Sequence, residues 1–170
     1  LFYGCTSLTS VSIPEGVKYV DGYVFKNCAN LADVSLPESL TKLGESAFYG
    51  CKKLTTIVIP KNVPTIGSYT FKACTALANV TLPDNLKAIG ESAFYGCTAL
   101  QKLTIPSKTT TINDYAFKNC TDLTAVELPA SLTKIGESAF YASKLATLTI
   151  PDNVAAIGDY AFKNCVNLAD

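Results

Sequence analysis

The most reactive side chains in this sequence are seven cysteines, at positions 5, 28, 51, 74, 97, 120 and 165. A thiol can serve as a nucleophile, ligate a metal or close a disulfide, and each role needs a partner. A nucleophilic thiolate needs a base or cation beside it. The chain has no histidine, which removes Ser-His, Cys-His and His-metal chemistry together. It also has no Cys-x-x-Cys pair, the spacing that most often marks a zinc site. The cysteines instead recur at one constant interval up to Cys120. Equivalent slots on stacked turns are near enough for a disulfide, but their Cβ vectors are parallel, which disfavours the bond. The count is odd, and Ala142-Ser143 stand where the next cysteine is due. The leading reading is a ladder of buried free thiols packing as small apolar groups. A redox or metal role is the alternative.

Carboxylates could do acid–base work only if two of them met. Here they are spread along the array, about two per turn, mostly at turns and segment starts. Asp33 and Glu127 share a face but lie four turns apart, roughly 19 Å at strand spacing, beyond the reach of a working pair. The acidic residues Glu45, Glu91, Asp114, Glu137 and Asp159 open short segments, where helix-end electrostatics explains them; a calcium ladder is the weaker account. No catalytic residue, metal ligand or cofactor site is assigned. Fourteen lysines balance fourteen acids, and arginine is absent, so there is no electrostatic footprint for nucleic acid. No apolar run approaches the eighteen residues of a membrane span, so no membrane insertion is expected. No basic and then apolar segment opens the chain as a secretory signal would.

What positions these residues is a repeat. Phe occurs at 2, 25, 48, 71, 94, 117 and 140, a 23-residue period, and then one residue early at 162. Pro follows the same period from 14 to 129, then stands at 151, so one residue is missing between Phe140 and Pro151. Val11 and Ile13, with their equivalents, are two apart, the spacing of one strand face. The proline after them has no N–H to give and ends the strand. A second apolar pair follows at a spacing of three, as in Leu40/Leu43, and turn five breaks it with Thr109. Then comes Gly44, Gly67, Gly90, Gly136 or Gly158, with Asp21 and Asn113 in the same slot. These types tolerate positive φ, so a left-handed residue is expected there. A short helical segment is expected next, such as Glu45–Tyr49 or Asp159–Lys163, supported by the i,i+4 pairs Asp114–Lys118 and Asp159–Lys163.

One turn cannot bury its own apolar side, so the turns must stack as a solenoid. Seven parallel strands at about 4.8 Å give a sheet roughly 29 Å wide. The duplicated unit is twice as long. Phe-Tyr starts at 2, 48, 94 and 140, and Phe-Lys at 25, 71, 117 and 162. Tyr23, Tyr69, Tyr115 and Tyr160 sit two residues before the intervening Phe. Three residues separate the two Tyr slots, which puts them on one face of a helix. Staggered rings would avoid crowding, with Ser or Lys filling the gap. Outer-face packing is the leading account and an aromatic binding strip the other.

The outward strand slots hold Ser10, Ser12, Asp33, Ser35, Thr56, Val58, Asn79, Thr81, Lys102, Thr104, Glu127, Thr147 and Thr149, with Ala125. Inward slots barely vary while these do, as on a fixed scaffold with a changeable surface. They are the candidate ligand-binding residues. The face lacks aromatics and arginine, the usual binding hot spots, so a merely solvated face is the other reading. Rows of Ser and Thr also suit an ice-binding solenoid, but Asp33, Lys102 and Glu127 interrupt them. Asn79-Val-Thr81 and Asn119-Cys-Thr121 match the glycosylation sequon, which matters only in a eukaryotic host.

The run from Ile89-Gly90 through Ala93-Phe94, Cys97 and Leu100 to Ile105-Pro106 resembles the BspA-like (Treponema-type) leucine-rich repeat class. The resemblance covers residues 1–170 as one array of about seven turns. It implies an α/β, right-handed leucine-rich-repeat solenoid, with one parallel sheet on the concave face and short helical or irregular segments on the convex face. It also implies a cell-surface or secreted adhesion protein with a protein ligand. A non-catalytic protein-binding scaffold is therefore the leading functional reading. The alternative is a structural spacer whose binding function lies elsewhere. The array begins and stops within a turn, which suggests a fragment of a longer array whose bare ends could associate end to end.

Overall fold

The computed structural model describes residues 1–169. Its axis is a column of phenylalanines. Phe2, Phe25, Phe48, Phe71, Phe94, Phe117, Phe140 and Phe162 stack with neighbouring centroids 5.2–5.7 Å apart and planes within 15°. Each repeat is thus one coil, as the spacing predicts, and the chain is a parallel β-solenoid.

One side of the coils carries three-residue strands: β1 (Ser10–Ser12), β3 (Asp33–Ser35), β5 (Thr56–Val58), β7 (Asn79–Thr81), β9 (Lys102–Thr104) and β11 (Ala125–Glu127). A second side carries two-residue strands: β2 (Tyr19–Val20), β4 (Lys42–Leu43), β6 (Thr65–Ile66), β8 (Ala88–Ile89), β10 (Thr111–Ile112), β12 (Lys134–Ile135) and β13 (Ala156–Ile157). Every pairing is parallel, and Val11 lies opposite Val34, Ile57 opposite Val80, and Leu103 opposite Val126. The single seven-strand sheet does not form. The three-residue strands pair as β1-β3, β5-β7 and β9-β11, while β6, β8, β10, β12 and β13 make the longest continuous sheet. Thr147–Thr149, the expected seventh strand, is not a strand. Its coil is the one that lacks a residue, between Ser143 and Leu145.

The expected helical segments are also absent. Among the described residues all regular structure is strand and turn, so the α component of the expected class is not present. In the segment after Gly44, alternate N–H groups have different partners. Those of Ala47, Tyr49 and Cys51 bond within the segment, to Gly44, Ser46 and Phe48. Those of Ser46, Phe48 and Gly50 reach across to Ser68, Thr70 and Lys72 of the next coil. A helix would direct its N–H groups along its own axis and give up these bonds to the next coil. The zigzag needs a left-handed residue two before and two after each Phe. Ser46 and Gly50 have φ of 54° and 73°, and Tyr69 and Ala73 both 59°.

The Gly44 slot therefore has a different explanation from the expected positive φ. A Cβ on Gly44 would lie 2.4 Å from the Gly22 nitrogen, and one on Gly136 2.4 Å from the Asp114 nitrogen. At Gly44 and Gly136 glycine is needed because adjacent coils touch, not because the backbone turns left-handed.

The core fills the coil from end to end. Leu31, Leu54, Leu77, Leu100, Leu123 and Leu145 are fully buried, as are Phe48 through Phe140 in the aromatic column. Thr109 is equally buried, and its hydroxyl donates to the Leu86 carbonyl at 2.9 Å. That bond satisfies the hydroxyl and lets a polar residue stand in the apolar slot.

Candidate functional site

The strand face is built as the alternation predicts. Proline and the coil register hold each strand so that its middle residue points inward and its flanking residues outward. All thirteen candidate residues, from Ser10 to Thr149, are exposed. Ala125 is half-buried. The structure brings them together only as rows: Ser10 beside Asp33, Ser12 beside Ser35, Thr56 beside Asn79, Val58 beside Thr81, Lys102 beside Ala125 and Thr104 beside Glu127. The Thr104 hydroxyl donates to a Glu127 carboxylate oxygen at 3.0 Å. Asp33 and Glu127 stay four coils apart, as the repeat dictates.

The grain of this face is the strand pair. Shallow grooves cross its unpaired junctions. One of about 610 Å³ runs over β1, β3 and β5, one of about 340 Å³ spans β7 and β9, and one of about 520 Å³ lies between β11 and Thr147–Thr149.

The turn face carries a second ordered array. Lys72 lies over three rings, 4.6 Å from the Tyr95 centroid, 5.3 Å from Tyr69 and 6.0 Å from Tyr49. Lys26 and Lys118 repeat this with Tyr49 and Tyr141 at 4.6 and 4.5 Å, and Lys163 sits over Tyr160. The Tyr23 and Tyr115 hydroxyls donate to Glu45 and Glu137 at 2.8 and 2.6 Å, and Tyr69 donates to Glu91. That donation, with burial and the carboxylate charge behind it, pushes the Tyr115 hydroxyl up to about 12. Tyr95 and Tyr141 accept from Asn119 and Asn164. The rings of Tyr49, Tyr69, Tyr95, Tyr115 and Tyr141 are half-buried between neighbours, as the outer-face account expects, while Tyr3, Tyr23 and Tyr160 are exposed. The roles of Lys26, Lys72, Lys118, Glu45, Glu91 and Glu137 go beyond the sequence reading. Tyr23, Tyr69 and Tyr115 stand at one constant sequence offset, 22, from their Glu partners. That signal is present in the sequence, but helix-end electrostatics accounts for the same acids without a partner. The expected i,i+4 ion pairs do not form. The two salt bridges among the described residues are Lys61–Glu38 at 3.8 Å and Lys144–Asp122 at 3.2 Å, both between coils and exposed.

The cysteines do no visible chemistry. Cys28, Cys51, Cys74, Cys97, Cys120 and Cys165 are buried free thiols, and only Cys5 is exposed, which departs from a wholly buried ladder. Each buried Sγ donates to a carbonyl of the Phe column, for example Cys51 to Phe25 at 3.2 Å and Cys74 to Phe48 at 3.0 Å. Burial pushes the Cys51 and Cys120 thiols up to about 12, and Cys74 and Cys97 well above the ordinary thiol. Such thiols are poor nucleophiles.

The sequence pattern of the BspA-type leucine-rich repeat region matches in six copies, over residues 1–97 and 41–169. The chain belongs to the BspA-type leucine-rich repeat family. Solved structures agree. A leucine-rich repeat protein from Bacteroides ovatus is 38% identical over 94% of this chain, with a TM-score of 0.87. A Treponema pallidum leucine-rich repeat protein is 31% identical over 96% of the chain and 79% of its own length, with a TM-score of 0.90. A leucine-rich cell surface protein from Faecalibacterium prausnitzii is 25% identical over 98% of this chain and 67% of its own length, with a TM-score of 0.62. This BspA-type array spans only 44% of the Bacteroides protein. No curated protein sequence matches it. The matches indicate a repeat scaffold typical of bacterial surface proteins, and no enzymatic family.

Proposed function

We propose that this BspA-type array is a non-catalytic adhesion scaffold at the cell surface or in the secreted space, and that it binds a protein ligand through its strand face. The observation that carries the reading is the exposure of all thirteen variable strand-face residues on an otherwise invariant core. Ser12, Ser35, Thr56, Thr81, Thr104 and Thr149 offer hydroxyls on every coil except the one that carries Ala125 and Glu127. Many weak contacts summed over a broad face suit such a surface better than a single deep pocket. The likeness to a protein described as a cell surface protein supports the location.

The test is binding of the chain to immobilised extracellular-matrix proteins. A variant with Thr56, Thr81, Thr104 and Thr149 all changed to Ala should keep its circular dichroism and lose at least ten-fold in affinity. If the chain binds and the variant binds equally well, the strand face is not the site. If neither binds any protein ligand, the array is a spacer.

A further inference from the structure

The three grooves of the strand face share an aliphatic lining, a proline and at least one carboxylate, although the carboxylates stand in different slots of the repeat. Each crosses a junction between strand pairs, and the first extends over β1 as well. The first has Val11, Val34 and Leu36 along its base, Pro60 at one side and the carboxylates of Asp33 and Glu38 at its rim. The second has Val80, Leu82 and Leu103, then Pro106, with Asp84 in the slot of Glu38, and adds Lys102. The third has Val126, Leu128 and Leu148, then Pro151, then Glu127. An aliphatic base with a carboxylate at the lip suits a side chain with a long apolar stem and a cationic head, which buries the stem and keeps the head at the rim. Lysine and arginine are the two side chains of that kind.

The spacing adds a second constraint. Successive grooves are two coils apart, about 10 Å at the strand spacing of about 4.8 Å. A segment in the polyproline II conformation turns once in three residues and advances about 3.1 Å per residue. Every third side chain therefore points the same way and meets the next groove.

We propose that the strand face binds an extended, polyproline II-like protein segment carrying Lys or Arg at every third residue, with those side chains seated in the grooves at β3/β5, β7/β9 and β11/Thr147–Thr149. The proposal rests on the protein-binding reading above and names its partner. The outer grooves set the charge preference. Asp33 makes no salt bridge among the described residues, and Glu127 accepts only from Thr104. Glu38 is shared with Lys61, and Lys102 offsets the charge of Asp84 in the middle groove. The middle groove therefore holds the stem of a side chain but discriminates least by charge. Because Asp33 and Glu127 are exposed, the affinity falls as salt rises.

Calorimetric titration of the intact chain with a peptide of four Lys-Pro-Ser repeats tests this, beside the same peptide with Glu in place of Lys. The Lys peptide should bind and the Glu peptide should not. The double variant Asp33→Asn/Glu127→Gln should weaken the Lys peptide at least five-fold, and moving Lys to every fourth position should weaken it similarly. Absence of binding at millimolar peptide, equal binding of the Glu peptide, or indifference to the double variant overturns the proposal. The two levels separate cleanly against immobilised matrix proteins. If the threonine variant loses binding and the Asp33/Glu127 variant keeps it, the basic-segment proposal falls and the strand-face reading stands. If neither variant loses binding, the strand-face reading falls as well.

Discussion

Phe94 lies between Phe71 and Phe117 with both centroids 5.3 Å away and no exposed surface. Truncating it removes two stacked contacts and opens a cavity that rigid coils on either side cannot close. Phe94→Ala should cost about 3–5 kcal/mol, read as a fall in the denaturant midpoint. The thiols make a pH prediction. Burial raises Cys51 and Cys120 from an ordinary 9.0 to about 12 in the fold. A raised acid stays protonated when folded and ionises on unfolding, so its contribution is complete below about pH 9. It is lost as the pH climbs from there through the folded value. Replacing both with Ala should flatten the alkaline decline in stability between pH 9 and 11. At pH 8, iodoacetamide should label Cys5 and leave Cys74 and Cys97 untouched until the chain unfolds. Cysteine packing was legible in the sequence because the column spacing and the missing histidine left the thiols no partner. The exposure of Cys5 was not, since it depends on what covers the first coil.

At the scale of the element, the turn segments decide how coils join. Their zigzag sends every second N–H to the next coil and places left-handed residues on both sides of each Phe from Phe25 to Phe162. Local sequence points the other way. Acidic starts and i,i+4 pairs read as a helix, and the lateral hydrogen bonds override that preference. The glycine slot is where this can be checked. At Gly136 a Cβ would press on backbone atoms of the coil beneath, and backbone cannot swing aside. Gly136→Ala should therefore destabilise by about 1–3 kcal/mol, as overpacking does, measured by chemical unfolding. A helix-forming segment would instead gain from the same change. The exposure of the strand-face residues was legible at this scale because alternation along a strand is a local property. The pairing of strands in twos, and hence the grooves, was not.

Over the whole molecule, Tyr and Lys alternate from coil to coil along the turn face, so Lys72 meets Tyr49 on one side and Tyr95 on the other. Pairing of the three-residue strands keeps the same two-coil rhythm. Coils are therefore interchangeable in pairs and not singly. Deleting residues 71–116 sets Tyr49 beside Lys118 and preserves both patterns. Deleting residues 71–93 sets Tyr49 beside Tyr95 and breaks both. The single-coil deletion should unfold at a lower denaturant midpoint than one interpolated between the parent and the two-coil deletion, because neighbour interfaces dominate solenoid stability.

Periodicity alone was enough to establish the coil length, the inward columns of Phe, Leu and Cys, and the residues left to face solvent. A chain with so short and constant a repeat can bury its apolar side only by stacking it, and identical side chains then fall in line. Contacts between coils decided the rest: turns in place of helices, glycine at the points of closest approach, strands joined in twos, and lysines held among tyrosine rings. Those outcomes depend on how far apart neighbouring coils sit and where their backbone donors point, quantities that the order of residues within one coil does not contain.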